Sequence, residues 1–248
     1  SLSDSDAGFA TNAMASMIEA GYLPDSVRSG DRPRFVRDFQ GVADATRGAR
    51  AQNTGWMDVG PAVSAHALRL IRTGPHTMSR DDATELGLVL THELQHTVTP
   101  PGPQIKDQHV WLEEGIAEAL TWWPGATRST LDRIGAPSLP HDPDPYSVPP
   151  RMLPSTEYRL HHRRVVELLG MAGVSPYTEL DEVNPRGLSS ARQLLQSSHV
   201  SGVPRDLARA IAQEQGIDSR YVPEIADRIT ALGATGQDAS SVIAGIPH

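Results

Sequence analysis

The sequence predicts an α+β domain, with a small N-terminal sheet and a largely helical C-terminal half. Three observations lead there. Short apolar alternation is confined to residues 33–73. Helical periodicity sets in at Ser79 and, beyond a proline-rich stretch, continues from Pro154 to the end. The chain has 248 residues, enough to bury one substantial core. We read a single domain over 1–248: an α/β lobe of about 1–123, a proline-rich loop at 124–154, and a helical lobe at 155–248.

Residues 6–20 read as an amphipathic helix with Asp6 as cap and Gly21 as stop. Arg34–Phe39, Trp56–Val59 and Ala65–Ile71 are the strand candidates, punctuated by Asn53-Thr54-Gly55. Ser79 followed by Asp82 resembles a capping box and opens a helix expected to run to about Val98. Pro100-Pro101-Gly102-Pro103 forbids its continuation. A second helix is expected over His109–Trp123, with Asp107 as cap. Eight prolines among residues 124–154 leave only an ordered loop there. Further helices are expected near 155–172, 187–198, 204–215 and 221–232.

Composition narrows the function. The net charge is −8, Lys106 is the one lysine, and the only basic cluster is His161-His162-Arg163-Arg164. A nucleic-acid partner needs a basic stripe, so none is expected. No apolar run reaches 18 residues, so no membrane span is expected. The absence of cysteine removes disulfide frameworks, thiolate metal sites and Cys nucleophiles. Such a chain suits oxidising and reducing surroundings alike, leaving secreted and cytoplasmic locations both open. It begins at Ser1, so any signal peptide would be absent.

The chemistry concentrates in two segments. Thr91-His92-Glu93-Leu94-Gln95-His96 contains His-Glu-x-x-His. Residues four apart share a helix face, so both imidazoles can converge on one ion. Glu93 stands about 100° round from His92, beside an ion rather than on it, as a general base for its water must. Leu86, Leu90, Leu94 and Val98 form an apolar stripe opposite, with Leu88 and Val89 on the histidine side. Both histidines are therefore expected to be buried or to face a cleft. A buried helix whose histidines only satisfy local hydrogen bonds is the plainer reading of this segment alone.

The second segment is Trp111-Leu112-Glu113-Glu114-Gly115-Ile116-Ala117-Glu118. Glu114 and Glu118 share a face on a helix otherwise rich in Trp, Leu, Ile and Ala. Buried acids need compensation, which a cation and its surroundings supply. Catalytic zinc takes three protein ligands and an exchangeable water, with two His and one Glu a common set.

His-Glu-x-x-His followed by Trp-Leu-Glu-Glu-Gly-x-Ala resembles the gluzincin metallopeptidases, especially their aminopeptidase branch. Seventeen residues separate His96 from Glu114, within one or two of that family's spacing. The likeness covers residues 80–125. It implies a gluzincin-like fold, one Zn2+ per chain, and His92, His96 and Glu114 as ligands. It also implies Glu93 as base and proton shuttle, Glu118 as the group orienting a ligand histidine, and a peptide or protein substrate. Glu113 stands where that branch often has Asn, and no glycine-rich exopeptidase motif lies upstream, so an N-terminus-binding role is not supported.

Gluzincins add a Tyr or His from a later helix to steady the developing oxyanion. Tyr158 is the first choice here, followed by His161 or His162 and then Tyr177. Trp111, Trp122 and Trp123 read as core. Two rivals stand beside the peptidase: a catalytically silent protein of structural or binding role, and a zinc hydrolase of a non-peptide bond.

Overall fold

The computed structural model describes side chains at Ser79, Asp81, Thr84, Gly87, Leu88, Thr91, His92, Gln95 and His96. It also describes residues 106–128, 157–178 and 182–247, with the backbone of three short segments further upstream. Two compact units divide the chain: Ser1–Val98 with Leu120–Leu153, and Thr99–Ala119 with Pro154–His248.

The α+β expectation with its small N-terminal sheet is corrected by this arrangement. About 70% of the residues whose side chains are described are helical, and none of them lies in a strand. One isolated bridge, Tyr177 to Val183, is the only extended pairing among the residues whose side chains are described. Upstream, the backbone of β1 (Arg34–Asp38), β2 (Ala49–Gln52) and β3 (Trp56–Val59) pairs in the order β1-β3-β2. The reason lies in where apolar side chains are spent: they recur every three or four residues on helices, and short alternation upstream does not set the fold class. The expected helix at 6–20, the strand at Ala65–Ile71 and the loop at 124–154 lie wholly or largely outside the described residues.

In the second unit the helices are α1 (Asp107–Thr121, of which 107–119 belong here), α2 (Thr156–Met171), α3 (Gly187–Leu195), α4 (Val203–Glu214) and α5 (Val222–Thr235). These four C-terminal helices fall within a few residues of the expected segments. In α4, Pro204 occupies the first turn, where a missing N–H costs nothing, and Asp206 complements the positive end. Its buried stripe is Val203, Leu207, Ala208, Ile211 and Ala212. Gly216, at φ 67°, ends it, with the Ile217 amide donating to the Ala212 carbonyl at 2.8 Å. Helix α5 likewise carries Pro223 near its start and stops at left-handed Gly236.

Helix α5 buries Ile225, Ile229 and Leu232 and packs on α4. Fully burying each such side chain stabilises by about 1.5–3 kcal/mol. Helix α2 buries His161, Arg164, Val165, Leu168 and Leu169, a stripe at helical spacing that contains two polar members. Helix α1 is buried on nearly every side, with Leu112, Ile116, Ala117, Ala119 and Leu120 at 5% exposure or less. Among the described residues no helix is long and apolar enough to cross a membrane.

In the first unit Asp81, Thr84, Gly87, Leu88, Thr91, His92, Gln95 and His96 are all helical. Among them Thr84, Leu88, Thr91, Gln95 and His96 are buried. Leu86, Glu93, Leu94 and Val98 lie outside the described residues.

Candidate metal centre

Helical geometry brings His92 and His96 together. Their Nε2 atoms stand 3.1 Å apart, with ring centroids at 4.8 Å and planes inclined by 76°. His96 is buried and His92 half-buried. Two Nε2 atoms this close share either a proton or a cation. Tetrahedral zinc with Zn–N bonds of about 2.0–2.1 Å would hold two imidazole nitrogens about 3.3 Å apart. The observed separation is close to that edge.

His92, His96 and Glu114 each offer one ligand atom, and these atoms lie within 4.8 Å of one another. Two neutral imidazoles and one carboxylate form a donor set that could hold a divalent metal ion. Among the described residues it is the one group of three or more such side chains that meets this condition.

Glu114 is half-buried on α1, whereas Glu118, one turn on, is only 7% exposed. Glu113 is half-buried, and Ile116, Ala117 and Leu120 around it are buried.

His161 of α2 faces this acidic pair. Its imidazole is 6% exposed, and its Nδ1 has no hydrogen-bond partner among the described residues. Burial pushes its pKa below the ordinary value and outweighs the carboxylates of Glu157, Glu114 and Glu118, which pull it up. The ring therefore favours its neutral form. Tyr158 meets it edge-on at 6.2 Å between centroids, and Trp111 lies tilted at 6.3 Å. Tyr158 itself is 36% exposed. His162 is half-buried, and Tyr177 is exposed on the isolated bridge with Val183.

One residue of this region was missed from the sequence. Arg164, named there only as a member of the short basic cluster, is 1% exposed. Its guanidinium carbon lies 5.9 Å from the centre of the Trp111 ring, and its Nε donates to the Gln237 carbonyl at 3.0 Å. Its Nη2 is buried with no hydrogen-bond partner among the described residues. Burial, seconded by the charge of Arg163, lowers its pKa from the usual value. The signal was the spacing His161, Arg164, Val165, Leu168, which places the arginine on the apolar stripe of α2. Trp111 and Trp123 are core, as expected, and Trp122 is half-buried.

No protein-family model, no curated protein and no solved structure matches this chain.

Proposed function

We propose that the protein is a zinc-dependent hydrolase of peptide bonds, with His92, His96 and Glu114 as metal ligands and Glu93 as general base. The observation that carries this reading is the 3.1 Å approach of the His92 and His96 Nε2 atoms. The clustering of Glu114 with them and the likeness to gluzincin motifs in residues 80–125 support it.

Zinc held by these three side chains would polarise a substrate carbonyl and acidify a coordinated water. Glu93, one residue past the first ligand, takes a proton from the attacking water and returns it to the leaving amine. Glu118, buried one turn beyond Glu114, would orient a ligand imidazole. Tyr158, or His161 beside it, donates a hydrogen bond to the carbonyl oxygen as charge builds there. The substrate is a peptide or protein segment.

Metal content measured by mass spectrometry tests the ligand set. Wild type is expected to carry about one zinc per chain, while His96→Ala and Glu114→Ala lose it. Full zinc retention in both variants overturns the site. Zinc near one per chain without peptidase activity, unchanged by Glu93→Gln, would point to a silent metal-binding protein instead.

A further inference from the structure

We infer that Trp111 is a positioning residue for Glu114, locked in place by Gly233 of α5 and Arg164 of α2. The inference rests on the reading of Glu114 as a metal ligand and concerns how α1 presents it.

Trp111 and Glu114 are three residues apart on α1, one turn along the same side of the helix. The Trp111 ring is 4% exposed, and its Nε1 donates to the Thr230 carbonyl of α5 at 3.3 Å. The indole lies so tightly against Gly233 that a β-carbon there would overlap its Cδ1, Cγ and Nε1 atoms. Gly233 occupies an interior position of α5, where alanine would favour the helix by about 0.8–1 kcal/mol. What glycine provides at this position is room for the indole. The Arg164 guanidinium lies within cation–π distance of the same ring, and its Nε bond to the Gln237 carbonyl anchors it just beyond the end of α5.

A second close approach flanks the ligand on its other side. A β-carbon on Gly115 would stand 2.8 Å from Val165 Cγ2 and 2.9 Å from the His161 carbonyl oxygen of α2. Glu114 is thus bracketed by Trp111, pressed on α5, and Gly115, pressed on α2. Both contacts oppose rolling and sliding of α1 against α5 and α2. The carboxylate is presented from a fixed height and azimuth, which is what a metal ligand needs to bind without reorganisation.

The test uses the full chain with zinc affinity measured by chelator competition and the visible absorption of the Co2+-substituted protein. Gly233→Ala is expected to displace the indole, weaken zinc binding by about tenfold or more and alter the Co2+ bands. Leu207→Ala, a core truncation in α4, is expected to lower Tm while leaving zinc affinity and spectrum unchanged. If Gly233→Ala does not fold, Trp111→Phe carries the test, because it removes the Thr230 bond without adding bulk. Folded variants with wild-type affinity and spectrum overturn the inference, as does an equal loss of affinity in Leu207→Ala. Wild type that takes up no zinc overturns the metal reading and this inference together. Zinc held normally by wild type and by the Trp111 and Gly233 variants overturns the positioning alone.

Discussion

The Cα of Gly115 lies under the backbone of His161 so closely that a β-carbon would stand 2.9 Å from the His161 carbonyl oxygen. This places the two helix backbones nearly in contact at the residue after Glu114. It also brings the buried His161 ring within electrostatic reach of Glu114 and Glu118. A side chain at position 115 would separate the helices and carry the imidazole away from both acids.

Gly115→Ala therefore sets two effects against each other. Alanine favours the helix by about 0.8–1 kcal/mol. Overpacking against Val165 and a rigid carbonyl costs typically about 1–3 kcal/mol. The steric term wins because neither neighbour is the free end of a flexible side chain. Urea unfolding followed by far-ultraviolet circular dichroism should show a loss of up to about 2 kcal/mol, the difference between those effects. A variant as stable as wild type would mean that α1 and α2 separate easily, and that the close approach has little importance.

Arg164 offers a cleaner separation of charge from packing. Its stem fills space on the stripe of α2, while its guanidinium donates to the Gln237 carbonyl and leaves Nη2 without a partner among the described residues. Removing the whole side chain should leave a cavity costing about 2–3 kcal/mol. Arg164→Met keeps the stem and removes a poorly compensated buried charge, so it should cost less than about 1 kcal/mol. Equal losses in the two variants, measured by thermal and urea unfolding, would show that the cation itself holds the helices together.

How much of this was legible depended on which signals are local. The four helices after Pro154 were readable because Pro, Gly and apolar spacing act within a single turn, as Pro204, Gly216 and the α4 stripe show. The meeting of His92 and His96 was readable for the same reason, since residues four apart on a helix share a face. The fold class was not, because alternation of a few apolar residues in Arg34–Phe39 says nothing about which layer forms the body. Arg164 was not singled out because a charge is ordinarily solvated; its place on the stripe of α2 was legible, and its neighbours Trp111 and Gln237 show the burial. Gly233 carried no sequence signal at all. Its role depends on an indole about 120 residues away in sequence.

His109 should make stability depend on pH. It is 7% exposed, and burial first, then the charges of Lys106 and His199, lowers its pKa from 6.5. The unfolded chain accepts a proton near pH 6.5 that the folded chain refuses until the pH is lower. Below 6.5 the unfolded state binds more protons, so stability falls as the medium is acidified and levels off above that value. His161 acts with the same sign. Tm measured between about pH 5 and 8 should rise with pH, and His109→Gln should flatten part of the slope below 6.5. A slope unchanged by this substitution would assign the effect to other groups.

Substituting Glu93 tests the proposed mechanism by separating metal binding from catalysis. A general base would contribute nothing to holding the ion, so Glu93→Gln should retain zinc and the stabilisation zinc brings. A ligand at a hundred times its Kd raises stability by about 2.7 kcal/mol, which a chelator should remove equally from wild type and variant. Peptide hydrolysis should differ sharply between them. Loss of a positioned proton-transfer group lowers turnover by roughly 10²–10⁴-fold. The two readouts together are decisive because each has its own way to fail. A variant that loses the zinc-dependent shift in Tm would make Glu93 part of the ligand set. A variant that keeps the shift and cleaves an unstructured peptide at the wild-type rate would remove Glu93 from the chemistry and the proposed mechanism with it.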